Sequence, residues 1–576
     1  MTLLDRLGLA AVALLLSVPL WGAELSLDLQ KALAEAPTGT LIPVIVSYRE
    51  DFDAAALRKS LRFAKRDTRR YTVARKLQEL GNRGIPIAEL ALAQGAQNVR
   101  LLRLISSVSM EATTDIINVL LADPNVIQVR PDTITEAPLP MAGSSFAPEW
   151  NIAVIDVEPL WQRGYLGGSV VVAVMDTGVD GQHPELASNW RGGSNSWFDP
   201  YGEHANPYDR SGHGTQVLGI ITGGDAGGTS IGIAPEAQWI AAKIYNDAGV
   251  GTESSMHSAF EWLIDPDGDP LTDDAPDVVN NSWSITDEGI CNSVFLPDIE
   301  ALKAADIAVT YSAGNSGPAA SSDVSPANNS RVLSVGAIDA GGLVATFSSR
   351  GPSTCDDELF PKLVAPGDGV VTTDLSFGGN AFYIEVSGTS FAAPHVAGVM
   401  ALLRDAVPPV SVAEMESALL GTAVDADIAG PDNQSGYGLV DAAAALDVLS
   451  FPVDMDGDGY GPATDCDDTN ASIYPGAPER TRDGVDQDCN GYDMTMKVHQ
   501  AVYSHDGSSL RLRISSHYGQ YADLEIVGGP ALEYRQYRED WYLNGGGVDG
   551  YANPTIAVSG LEGEIDITPR KPTPRR

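Results

Sequence analysis

Apolar and polar positions change rhythm several times along the chain, and each change marks a segment. After Arg6 an apolar run from Leu7 to Leu20 leads to small residues ending at Ala23. A charged start, a short apolar stretch and a small-residue end read as a secretory leader over 1–23, the run being short for a membrane span. Residues 24–138 mix two periods. Leu41–Tyr48, Leu101–Met110 and Asn125–Arg130 read as strands, Ala54 to about Leu80 as a charged helical region, and Thr113–Leu121 as an amphipathic helix. The stretch from Glu136 to Glu149 is rich in Pro, Ala, Gly and Ser and has linker composition, with the domain boundary placed at 139–149. From 150 to 449 short apolar runs (Ser169–Met175, Gln238–Ile244, Val278–Ser282, Ile307–Ser312) interleave with helical segments (Gly214–Ile221, Glu253–Leu263, Pro297–Ala304). That alternation predicts an α/β domain, a parallel sheet with helices on both faces, closed by a helix over Ser435–Leu449. Residues 450–493 lose the apolar pattern to aspartate, glycine and asparagine. From 494 to 576 short strands return (Lys497–Tyr503, Ser509–Ser516, Ala522–Val527), predicting a small β-sandwich-like appendage before a disordered tail, Pro569 to Arg576.

Composition sharpens this division. At 576 residues several modules are expected, and 43% hydrophobic residues suffice for a sizeable core. The net charge of −41 argues against nucleic-acid binding and suits a soluble exported protein or one that binds cations. The charge is uneven: residues 49–103 hold 13 Lys/Arg against 6 Asp/Glu, opposite in sign to the body. Export makes disulfides permissible, and the four cysteines are even in number.

The chemistry sits in three blocks. Ser387-Gly388-Thr389-Ser390 is a tight turn feeding a small-residue and then apolar helix. Ser390 would lie near the positive end of that helix, where developing negative charge is favoured, so it is a candidate nucleophile. A serine needs a base and an orienting carboxylate. Val171 to Met175 is a buried run that ends in Asp176 and a glycine turn, as when a parallel strand delivers an acid to the carboxyl edge of a sheet. Ser211-Gly212-His213-Gly214-Thr215 sets His213 between two glycines. A lone Asp or His is usually structural; three such blocks in the order Asp176, His213, Ser390 match the subtilisin type of triad.

On these motifs the chain resembles the subtilisin-like serine proteases over residues 150–448, and within them the bacillopeptidase F-like group. The resemblance implies a secreted serine endopeptidase acting through an acyl-enzyme on proteins and peptides. Asn315, in Tyr311-Ser312-Ala313-Gly314-Asn315, would be the oxyanion donor. Backbone of Ser282, Trp283 and Ser284 and of Ser312, Ala313 and Gly314 would line the substrate cleft and pair with the peptide as strands, with Asp247–Glu253 as a further rim; for Trp283 a core position is the other reading. Residues 24–138 would be an inhibitory propeptide, the chain's own intramolecular inhibitor. A Cys291–Cys355 disulfide is implied because related proteases carry cysteines in the same two inserts. The chain departs from the family in placing Gln216 where a second histidine is common. At the family's calcium site Glu185 matches a ligand position, but the loop 223–228 lacks the usual asparagine, which puts calcium there in doubt.

Asp454, Asp456 and Asp458 alternate with methionine and glycine, and Asp465, Asp467, Asp486 and Asp488 continue the pattern. Oxygen ligands at every second residue suit a hard cation, so Ca²⁺ is the expected cofactor of this module. It resembles the MopE-type metal-binding motif and is not an EF-hand, since the closing glutamate is missing. A Cys466–Cys489 bridge would close a loop of about 20 residues, worth roughly 3 kcal/mol in the chain-entropy view. Taken together the chain reads as an extracellular monomer without nucleic-acid partner, and without membrane contact once the leader is removed. A catalytically silent binding scaffold is the rival reading, against which the complete Asp, His, Ser and Asn set argues.

Overall fold

The computed structural model describes residues 23–450, apart from 38, 51, 63, 139–140, 143–149, 229 and 427; beyond them it describes 470–474, 477, 487 and strands between 497 and 567. Residues 1–22 of the expected leader, the seven candidate ligand aspartates, Cys466 and Cys489 lie outside the described residues. By internal contacts the chain forms two units, Met1–Phe52 with Glu79–Thr133, and Asp53–Gln78 with Ile134–Arg576.

In the first unit a five-stranded sheet runs in the order Glu24–Leu25, Val126–Pro131, Ile42–Tyr48, Ser107–Ala112, Gln97–Leu102. Val44, Val46, Val108, Met110 and Val129 meet Ile117 and Leu120 of the helix Thr114–Leu121 and Ile87 of the helix Gly84–Ala93. Thr113 caps its helix by accepting from Ile116 N–H, leaving the apolar positions after it at helical spacing. Two expectations need correction. Leu101–Met110 is not one strand but parts of a hairpin, because Ser106 takes φ +48° and turns the chain between Gln97–Leu102 and Ser107–Ala112. The charged helical region divides into Ala54–Ser60 and Arg66–Glu79, and these residues up to Gln78 group with the second unit.

The second unit is built on a seven-stranded parallel sheet in the order Leu363–Pro366, Leu333–Ile338, Ala308–Ser312, Val278–Asn281, Val171–Asp176, Gln238–Lys243, Trp197–Phe198. Val172 and Val174 pack in one core with Val217, Leu218 and Ile221 of the helix His213–Thr222 and with Val396, Met400 and Leu403 of the helix Thr389–Ala406. Strands buried on both faces explain the near-continuous apolar runs in the sequence. From Val171–Asp176 the chain first builds outward through Gln238–Lys243, then returns to add Val278–Asn281 on the other side. The order reverses between those two neighbours, and the crevice beyond their carboxyl ends is where such sheets hold their ligands. The closing helix is shorter than expected, Ala442–Ser450; Gly436 and Gly438 have φ +67° and +123°, which breaks the helical path before it. Cys291 and Cys355 form a disulfide with Cα atoms 4.9 Å apart. The described strands after 497 form two antiparallel sheets, of four and three strands.

Candidate active site

Asp176 ends its strand and is 1% exposed, like His213, whose Nδ1 lies 2.8 Å from Asp176 Oδ1. The same oxygen accepts the Thr177 N–H at 2.7 Å. Close backbone approach sets this pair: a Cβ on Gly214 would lie 2.1 Å from the Gly178 carbonyl oxygen, so the residue after the histidine has to be glycine. Asp209, which sequence reading passed over, organises the turn. Its buried carboxylate accepts from Thr177 Oγ1, the N–H groups of Ser211, Gly212 and Thr215, and Thr215 Oγ1. Burial pushes its pKa up, against the pull of those donors. The signal was present as Asp209 two residues before Ser211-Gly212, the spacing of an Asx turn.

Ser390 is in the first turn of Thr389–Ala406, where backbone N–H groups have no intrahelical acceptor. Its carbonyl accepts from Ser282 Oγ at 2.7 Å, and its Oγ lies 3.4 Å from the Ser282 carbonyl oxygen. Thr389 fixes Asn315: its N–H and its hydroxyl both donate to Asn315 Oδ1 at 2.9 Å, while its Oγ1 accepts from Gly314 N–H. With the amide oxygen engaged, Nδ2 is the end of Asn315 left to donate.

The expected cleft residues separate. Ser284 offers its carbonyl to Thr135 Oγ1. Ala313 N–H and the Gly314 carbonyl are taken up inside the fold, by Val335 O and Ser349 N–H, and Ser312 is buried. Trp283 is 2% exposed and packs against Phe260, Phe295 and Tyr311, so its side chain is part of the core. The Gln216 amide reaches Asp374 Oδ1 at 3.4 Å and takes no part in the Asp–His pair. The two oxygens of Glu185 accept Gly224 N–H, Gly227 N–H and Tyr383 O–H, which tie the 223–228 loop directly to this carboxylate. Among the described residues two other groupings gather carboxylates, Glu203–His204–Asp247 and Asp265–Asp267–Asp274. In the first Asp247 is already held by His204 and Lys243. In the second, burial and then Asp274 and Asp267 raise the Asp265 pKa to about 6.

A parallel sheet that brings an Asp–His pair, a helix-start serine and an anchored asparagine to its carboxyl edge defines a serine hydrolase. Comparison with known proteins carries this further. The model of the subtilase family matches residues 167–438, and a metal-binding motif model of the MopE type matches 465–493. Bacillopeptidase F of Bacillus subtilis is 37% identical over 355 residues, 57% of this chain and 24% of that protein. Subtilisin DY of Bacillus licheniformis is 33% identical over 299 residues, 51% of this chain and 97% of that protein, and subtilisin E of Bacillus subtilis is 32% identical over 327, covering 76% of it. The chain belongs to the subtilase family of serine endopeptidases. It spans about a quarter of bacillopeptidase F and nearly all of subtilisin DY. No helix among the described residues is long and apolar enough to cross a membrane.

Proposed function

We propose that the chain is the precursor of an extracellular endopeptidase, held inactive by a strand of its own and matured by cutting that strand. The observation that carries this reading is a pair of antiparallel contacts, the second of them to the strand that leads into the nucleophile. Ile134–Glu136 pairs with Val250–Thr252, with Thr135 opposite Gly251. Ala137 N–H donates to the Gly249 carbonyl at 2.8 Å. Met141–Ala142 then pairs with Val386 and Ser387, which lead straight into Gly388 and Ser390. Main-chain pairing of an extended segment is how a peptide is held without regard to most of its side chains. The bond cut in maturation therefore lies between Ala137 and Met141, and residues 24–138 act as the intramolecular inhibitor.

In the proposed reaction Ser390 Oγ attacks the peptide carbonyl while His213 Nε2 takes its proton. Asp176 holds the imidazole tautomer and stabilises its charged form. Negative charge on the former carbonyl oxygen is met by the Ser390 N–H and Asn315 Nδ2. His213 then protonates the departing amine, and water, activated by the same histidine, releases the acyl group from Ser390. Ser390 Oγ contacts Ser282 O at 3.4 Å, and in the proposed reaction it turns to His213 when substrate seats, as such bonds commonly tighten only in the complex. The acidic module supplies a calcium site from among Asp454, Asp456, Asp458, Asp465, Asp467, Asp486 and Asp488.

A fluorophosphonate probe tests the reading. It should label Ser390 in matured protein, and labelling should vanish in His213→Ala. Folded, matured protein that resists the probe would support the silent scaffold instead.

A further inference from the structure

The proposed chemistry occupies the carboxyl edge of the parallel sheet. The amino edge carries a second constellation that catalysis does not use. Arg66, Arg69 and Arg70 share one face of the helix Arg66–Glu79. Arg66 and Arg70 both bond Asp277, the residue before the strand Val278–Asn281. Arg70 also reaches Asp273 and donates to the carbonyls of Ala275 and Pro276 at 3.0 and 2.6 Å. Arg69 meets Asp306, shortly before the strand Ala308–Ser312, at 2.9 Å, and Arg58 meets Glu300 at 2.9 Å. Asp277 is tied to the sheet as well, since its other oxygen accepts the N–H of Val171, the first residue of the strand that ends in Asp176. A six-residue strand puts this edge about 20 Å from the catalytic one.

These are not loose surface pairs. The side chains of Asp277, Asp306 and Glu300 are 5, 4 and 4% exposed, and those of Arg70 and Arg69 are 7 and 11%. Asp306 also meets Arg404 at 3.0 Å and Glu300 also meets Arg331, whereas the ion pairs of Asp277 are with Arg66 and Arg70, so losing those two leaves its charge buried without a counterion. Burial pushes the Arg66 and Arg69 pKa values down, with Asp277 and Asp306 opposing it. The arginine helices precede the proposed cut in sequence, yet by contacts they belong to the body that follows it.

We propose that the acidic amino edge of the sheet is a docking site for an arginine-bearing helix, and that its occupant, residues 53–78 of this chain, keeps the severed amino-terminal portion on the mature body. The inference rests on the reading that the chain is cut between Ala137 and Met141. The severed portion then has two separate attachments, the cleft strand and the arginine clamp. Release of one leaves the other to restore it at high effective concentration. The inhibitor leaves when the clamp is broken, by salt or by a cut within 53–78, and not merely when the scissile bond is hydrolysed.

The test uses the full chain with Ser390→Ala and the recognition sequence of a site-specific protease placed within 143–149, so that cutting does not require the chain's own activity. After cutting, the affinity of the two fragments is measured against sodium chloride. The dissociation constant should rise at least about 10-fold between about 0.05 and about 0.5 M salt. In Arg66→Gln/Arg69→Gln/Arg70→Gln it should be raised at least about 30-fold at low salt and depend little on salt. Parent fragments whose affinity ignores salt, or a triple variant that binds like the parent, would overturn the clamp. The parent titration stands even if the triple variant does not fold. A chain with Ser390 intact that hydrolyses no peptide sinks the endopeptidase reading and leaves the docking result untouched.

Discussion

Two buried histidines show how single residues set the pH window of this fold. His395 sits inside the nucleophile helix with Nδ1 donating to the Phe391 carbonyl and Nε2 beside Asn151 Nδ2. Burial lowers its pKa to about 4. A histidine with a depressed folded pKa stabilises the fold above its unfolded value of about 6.5, and that contribution is lost as pH falls from there toward 4, because only the unfolded chain takes up the proton. His257 behaves in the opposite sense. Burial alone would lower its pKa, but Asp298 and Glu253 outweigh burial and raise it to about 9. Its contribution is complete below about 6.5 and is lost as pH rises toward 9. In Ser390→Ala, urea unfolding should therefore be most demanding near neutrality. Adding His395→Gln should flatten the acid limb by about 3 kcal/mol between pH 7 and 4 relative to the parent. Acid limbs of equal slope in the two proteins would refute the assignment.

At the scale of elements, the strand Val278–Asn281 and its extension do two jobs with alternate residues. Ser282 faces the nucleophile, bonding the Ser390 carbonyl, while Trp283 turns into the aromatic cluster of Phe260, Phe295 and Tyr311. Period-two alternation forces this division, so the two side chains cannot face the same way. Trp283→Ala should consequently behave as a core deletion, lowering unfolding free energy by about 3–5 kcal/mol, with the relative preference among peptide substrates unchanged. A variant that keeps its stability but changes its cleavage profile would return Trp283 to the cleft. A similar division governs the helix Thr389–Ala406, whose first turn presents Ser390 while Val396, Met400 and Leu403 bury its body in the core.

For the whole molecule, the proposed calcium module should be separable from the protease body. Nine aspartates within 454–488 repel one another, and few apolar residues are available there to offset the cost of ordering the chain, so metal has to supply it. The seven-stranded sheet has its own apolar core and a disulfide, Cys291–Cys355. Limited proteolysis of Ser390→Ala with an added protease should yield cuts between Phe451 and Asp493 in EDTA that calcium suppresses, while residues 150–449 resist in both. Identical patterns with and without calcium would show a plain acidic linker in place of a metal module.

How far the sequence reached follows from the range over which each feature is encoded. The α/β class was legible because buried parallel strands write continuous apolar runs, and the helices between them write their own period. Asp176, His213, Ser390 and Asn315 stand out as candidates in the sequence because each sits in a short glycine-bearing motif, where close backbone approach restricts neighbouring residues as well as the candidate itself. The hairpin at Ser106 escaped notice because one left-handed residue inside an apolar run leaves no break in the pattern. Trp283 could be placed in cleft or core from its motif alone, since alternation says which residues share a face and not which face is inside. Asp209 and the pairs of Arg66, Arg69 and Arg70 with Asp277 and Asp306 were decided by tertiary structure. The composition announced a basic segment and an acidic body, but charge acts through space. Only the topology of the parallel sheet brings Arg70 beside Asp277, 207 positions away in sequence.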